Sequence, residues 1–112
     1  MKKELIIKTV KLVIGLLSSH DYERIADLDF RRISTASGIK QAIEDYGGEV
    51  TIPPDTSFNE IDIYPLKGIE NQVNVDFDLW INNEKSDLTL TVTIIKEYED
   101  LYRYSVKGIR VL

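Results

Sequence analysis

Ile6, Val10, Val13 and Leu17 recur at the spacing of one helical face, and Leu5, Ile7, Leu12, Ile14 and Leu16 widen the stripe on either side. The spacing predicts a helix over residues 2–19 whose apolar surface needs cover around most of its circumference, from a sheet beneath and a second helix beside it. Residues 21–29 predict a short second helix with Asp21 as N-cap, ending where Asp27, Asp29 and Phe30 lose the period. A third helix is capped by Thr35 or Ser37, carries Ile39, Ala42, Ile43 and Tyr46 on one face and stops at Gly47-Gly48.

Beyond Gly48 helical spacing gives way to alternation. Pro53-Pro54 and Asp55-Thr56-Ser57 read as a stiff polar connector, and Ile61 and Ile63 begin a short strand that Pro65 confines to an edge or an end. Residues 67–72 read as a turn around Gly68. Val73, Val75, Phe77, Leu79 and Ile81 then alternate with Asn74, Asp76, Asp78 and Trp80, and Leu88, Leu90, Val92 and Ile94 alternate with Thr89, Thr91 and Thr93. Tyr102, Tyr104 and Val106 begin another strand, and the phase change at Ile109 and Val111 predicts a bulge near Lys107-Gly108.

A turn at residues 82–85 sets the register of the central hairpin. Val73 then faces Ile94, Val75 faces Val92, Phe77 faces Leu90 and Leu79 faces Leu88, while Asp76 meets Thr91, Asp78 meets Thr89 and Trp80 meets Asp87. A slip of one residue would set apolar against polar at every pair, which a one-sided sheet forbids. Helices followed by antiparallel strands, with no crossover helix between them, give an α+β fold. We expect a single domain over residues 1–112, with helices in about 2–47 packed on one face of a curved sheet of about four strands in 50–112.

Composition narrows the chemistry. The 112 residues contain no cysteine, which excludes disulfides, thiolate zinc sites and cysteine nucleophiles, and the single histidine removes histidine-rich metal sites. A net charge of -5 argues against non-specific binding to nucleic acid or acidic membranes. Glu4, Lys8 and Lys11 interrupt the N-terminal apolar stretch, so it suits neither a secretory signal nor a membrane span, and a cytoplasmic location is expected.

The hairpin's polar face is where function is sought. Asp76 and Asp78 lie two apart on one strand, so their carboxylates share a face with origins about 7 Å apart. Such a pair can bind a cation or share a proton, but no third ligand or glycine-containing loop is spaced for coordination, and no metal or cofactor is expected. The simpler alternative is a solvated face on which Thr89 and Thr91 satisfy the carboxylates and Lys107 or Arg103 offsets their charge. Trp80, the only tryptophan, lies in phase with the aspartates, where an amphipathic ring suits an interface anchor. Asp76, Asp78, Trp80 and Asp87 are therefore the candidate partner-binding residues.

Other constellations carry less. Ser18-Ser19-His20-Asp21 are neighbours in sequence, whereas a catalytic triad is defined by side-chain geometry, and a histidine ending a helix suits the helix dipole. Tyr98, Tyr102 and Tyr104 with Arg103 resemble a nucleic-acid stacking cluster, but Glu97, Glu99 and Asp100 beside them repel phosphate, so core and hairpin packing is the better reading. No GxxxxGK, GxGxxG, GxSxG or HExxH motif is present, which weakens the case for an enzyme.

Asp78-Leu79-Trp80, then Ser86-Asp87-Leu88-Thr89-Leu90 and the closing Ile109-Arg110-Val111-Leu112, with Pro53-Pro54-Asp55 ahead of the strands, resemble an uncharacterised family of small bacterial domains of unknown function. The similarity covers about the last forty residues, and the turn Asn82-Asn83-Glu84-Lys85 departs from the glycine- and arginine-containing stretch the resemblance implies. The layout is also similar to the nuclear transport factor 2-like cone, which hosts enzymes, ligand binders and immunity proteins alike, so the resemblance does not fix function. The leading expectation is a non-enzymatic protein-binding module, an immunity-type protein that neutralises a basic toxin: residues 57–112 carry ten acids against six bases, residues 1–56 nine against eight. The alternatives are a small-molecule pocket or small enzyme inside such a cone, with Asp76, Asp78 or Tyr104 for acid–base work, and a homodimer packed sheet to sheet.

Overall fold

A computed structural model describes all residues, 1–112. The three predicted helices are α1 (Lys3–Ser18), α2 (Tyr22–Leu28) and α3 (Ala36–Tyr46). Asp21 caps α2 by accepting the Arg24 N–H at 3.3 Å, and Thr35, rather than Ser37, caps α3 by accepting the Gly38 N–H at 3.0 Å. Gly47 (φ +91°) and Gly48 (φ +85°) end α3 in the left-handed region, and a Cβ on Gly48 would lie 2.5 Å from Ile81, so the close approach here needs glycine. No helix is long and apolar enough to cross a membrane.

A further short helix, η1 (Asp55–Glu60), occupies the segment expected to be a plain connector. The strands are β1 (Val50–Thr51), β2 (Asp62–Leu66), β3 (Ile69–Ile81), β4 (Glu84–Tyr98) and β5 (Leu101–Val111), so the fold is α+β with one open antiparallel sheet of five strands. β1 was not legible, and β3 begins within the stretch read as a turn, which shrinks to Lys67-Gly68. β1 and β2 share one edge of β3: β2 ends its pairing at Asp62 opposite Asp76, and β1 meets β3 only at Trp80 and Ile81.

The inner face of the sheet and the helices make one core of 21 buried residues, in which Val10, Val13 and Leu17 of α1 join Val75, Leu79, Leu90, Val92 and Ile94, all at most 0% exposed. Full burial of such side chains stabilises by about 1.5–3 kcal/mol each. Ile25 closes the core from α2, and Ile39 and Ile43 from α3. Phe58 anchors η1 by stacking on Phe77 with ring centroids 4.8 Å apart, and Lys11 lies over the Phe58 ring while pairing with Asp55.

The expected register holds from Val73↔Ile94 through Asp78↔Thr89, then fails towards the turn. Trp80 faces Lys85 rather than Asp87, and Leu79 is not paired with Leu88. The reason is local. Asn82 (φ 52°) and Asn83 (φ 65°) are both left-handed and form a two-residue hairpin turn, tighter than the expected four-residue loop. A bulge in β4 absorbs the difference, with the Ser86 hydroxyl donating to the Leu79 carbonyl at 2.6 Å and accepting the Leu88 N–H at 3.1 Å. The bulge expected near Lys107-Gly108 is found in β5, where Thr91 pairs with Gly108 and Val92 with Val106, leaving Lys107 as the extra residue.

Candidate binding groove

On the outer face, away from the helices, β3 carries Gln72, Asn74, Asp76, Asp78 and Trp80 in strict alternation with its core residues. Thr93, Thr91 and Thr89 of β4 stand opposite Asn74, Asp76 and Asp78, and each threonine hydroxyl bonds its partner, at 2.8, 2.6 and 2.8 Å respectively. Both aspartates accept these bonds through Oδ1. The bond fixes the carboxylate's direction, while Oδ2 of Asp78 has only the Lys85 ammonium at 3.9 Å. The offsetting cation is thus Lys85, in place of Lys107 or Arg103; Arg103 is engaged with Glu97.

A groove of about 680 Å³ opens over this surface. It exists because the chain detours through η1 between β1 and β2, leaving Phe77–Leu79 of β3 without a strand on that edge. The wall is built by Pro54, Thr56, Ser57, Glu60 and Ile61, and the floor by Asp76, Asp78, Trp80 and Thr89. Asp62 and Tyr64 of β2 complete it. Asp62 stands directly opposite Asp76, a like-charge cross-strand pair that costs stability unless offset. The Asp62 carboxylate, then partial desolvation, then Asp76 push the exposed Tyr64 phenol above its ordinary value.

Of the four candidate residues, Asp76, Asp78 and Trp80 line the groove together, and Asp87 does not. The β4 bulge turns Asp87 aside, where its carboxylate accepts the Tyr46 hydroxyl of α3 at 2.6 Å. Asp62, Tyr64 and Glu60 join the groove unannounced. The alternation through Ile61 and Ile63 puts Asp62 on the outer side, but its register to β3 was hidden by a register shift at Pro65-Leu66. Pro65 has no N–H to offer the ladder, so the pairing around it is not set by the adjacent turn.

The opposite end of the outer face is closed. Residues 29–31 fold against the free edge of β5: the Phe30 N–H donates to the Tyr104 carbonyl at 2.7 Å. Asp29, 2% exposed, accepts from the Val106 N–H at 3.1 Å, the Arg31 and Arg32 N–H groups at 3.1 and 3.0 Å, and the Ser34 and Ser105 hydroxyls. Burial pushes its pKa up, but the bonds from Ser105, Ser34, Val106 and Arg31 outweigh that and hold it below the ordinary carboxylate value. Arg31 then reaches over the outer face to Gln72, where Ile95 and Thr93 are buried. Beside this edge the Tyr104 hydroxyl donates to the Ile25 carbonyl at 2.7 Å, and burial with the nearby Asp29 charge pushes its pKa up to about 12.

The remaining sequence candidates lie elsewhere. His20 has φ 59°, stacks on Tyr22 and meets Glu49 at 2.5 Å, tying the α1–α2 corner to the segment before β1. Of the tyrosine cluster, Tyr104 is in the core and Tyr102 packs against it, whereas Tyr98 is 67% exposed on the β4–β5 turn. The space between helices and sheet, where a cone-type fold would hold a ligand, is filled by the buried side chains of Val10, Val13, Leu17, Leu79, Leu90 and Val92.

The family described as "Domain of unknown function (DUF7668)" matches residues 14–112, and the chain belongs to that family. Neither a curated protein nor a solved structure matches the sequence.

Proposed function

We propose that the protein is a non-enzymatic binding module whose outer-face groove receives a basic partner. The observation that carries this reading is the groove's charge: Glu60, Asp62, Asp76 and Asp78 line it against one cation, Lys85. Opposite charge focused in a cleft steers a cationic partner and speeds its association. Trp80 beside the carboxylates supplies the apolar area that turns an encounter into a complex. In a small cytoplasmic bacterial protein this surface suits an immunity-type role, in which the acidic groove occludes the basic working surface of a toxin.

A second reading, a small-molecule site of the nuclear transport factor 2-like type, is favoured only by volume, since about 680 Å³ lies within the usual range for such sites. The wet, carboxylate-rich lining suits a charged chain segment better than a compact ligand. The test is co-expression with the product of the adjoining reading frame, which this reading expects to be a basic protein; a neighbour without basic character counts against the immunity-type role. Asp76→Lys combined with Asp78→Lys and Trp80→Ala is expected to abolish co-purification while the circular dichroism spectrum and cooperative unfolding are retained. A complex that survives these substitutions overturns the groove as the contact.

A further inference from the structure

Resting on that reading, we infer that the groove recognises arginine side chains, carried on an extended segment of the partner. The basis is the layout of acceptors and rings. Asp62 and Asp76 are opposed across β2–β3, their Cβ atoms about 4.5–5.5 Å apart. Asp78 follows about 7 Å further along β3. Neither Asp62 nor Asp76 has a cation of the chain within ion-pair distance. Two opposed carboxylates are thus left uncompensated next to Phe77–Leu79, the stretch of β3 that has no strand on that edge.

The free acceptors are held rather than floppy. Thr91 and Thr89 each occupy Oδ1 of an aspartate, which leaves Oδ2 of Asp76 without a partner and Oδ2 of Asp78 with only the Lys85 ammonium at 3.9 Å. An aromatic ring stands at each end of this row: Trp80 two residues beyond Asp78 on β3, and Tyr64 two residues beyond Asp62 on β2. Fixed acceptors between rings match the guanidinium group, which is planar, carries five donors in a fork and stacks on aromatic faces. A lysine ammonium is a hydrated point charge that would use the field but neither the fork geometry nor the rings. The spacing of Asp76 and Asp78 is that of alternate residues on an extended chain, so two arginines two residues apart meet both carboxylates in one approach.

Trp80 is the sole tryptophan, so its emission reports on the groove alone. The experiment titrates the intact protein with a short Gly/Ser peptide carrying arginines at two alternate positions, and with its lysine and citrulline counterparts, following Trp80 emission and heat of binding. The expected result is saturable binding of the arginine peptide with a Kd at least tenfold below the lysine peptide's, and no binding of the uncharged citrulline peptide. Asp76→Asn, which keeps an acceptor for Thr91, is expected to weaken the arginine peptide about tenfold and to narrow its lead over lysine. Equal affinity for arginine and lysine overturns the inference and leaves the basic-partner reading standing. No saturable binding of either cationic peptide overturns both.

Discussion

Asp29 is 2% exposed and its carboxylate is surrounded by backbone N–H groups and hydroxyls from residues 31, 32, 34, 105 and 106. Asp78, at the other end of the same sheet face, has a side chain 44% exposed, one threonine bond and a lysine 3.9 Å away. The same functional group is spent on structure in one place and left available in the other. At the β5 edge six donors converge on Asp29, so the segment after α2 is fastened to the sheet and covers the edge beside Tyr104–Val106. In the groove, hydroxyl donors come only from Thr89 and Thr91, one to each aspartate, and the second oxygen has no partner on Asp76 and only Lys85 on Asp78. Partner satisfaction, rather than charge, separates a carboxylate that holds the fold from one that can bind.

The largest test of this contrast is deletion of each carboxylate in turn. Asp29→Ala leaves several buried donors without an acceptor, and it is expected to destabilise by about 3 kcal/mol or more in urea unfolding. Asp78→Ala is expected to change stability by no more than about 1 kcal/mol, since it removes an exposed pair. Equal losses would erase the distinction.

The next effect is pH dependence. Asp29 titrates lower in the folded protein than its unfolded value near 4, so the stability it contributes is present above about pH 4 and is lost as pH falls through the folded value. Tyr104 is shifted the other way, from an ordinary 10.0 to about 12, so its contribution is present below pH 10 and is lost as pH rises from 10 towards 12. Urea midpoints measured against pH should fall at both extremes, with Asp29→Asn flattening the acid limb and Tyr104→Phe the alkaline one. At neutral pH, Tyr104→Phe is expected to cost about 1 kcal/mol for the lost bond to the Ile25 carbonyl.

The smallest effect concerns self-association. Two copies meeting groove to groove would set like charges together, so light scattering at low salt should show a monomer, and Asp76→Lys with Asp78→Lys should favour pairing with unmodified chains. A stable sheet-to-sheet dimer of the unmodified protein at low salt would show that the acidic surface is not repulsive.

Half of this contrast was readable in the sequence. Asp76, Asp78 and Trp80 sit in a long strand with an unbroken apolar alternation, so their common face and their threonine partners follow from the period alone. Asp87 was misplaced because the same rule was carried across the turn, where left-handed Asn82 and Asn83 tighten the hairpin and a bulge takes up the slack. Asp62 was missed because its register is broken beside Pro65. Asp29 gave no signal: its partners Ser105 and Val106 are more than seventy positions away, as their separations of 76 and 77 show, and no local spacing encodes them. Periodicity reports which face a residue takes; it does not report what arrives over that face from elsewhere in the chain.

The most direct measurement of the central claim is backbone amide NMR during titration with the alternating arginine peptide. The account predicts shift changes confined to Asp62–Tyr64, Asp76–Trp80 and Lys85, with Asp29, Phe30 and Val106 undisturbed. Changes centred on the β5 edge, at Phe30, Ile33 and Ile109, with the groove silent, would contradict it.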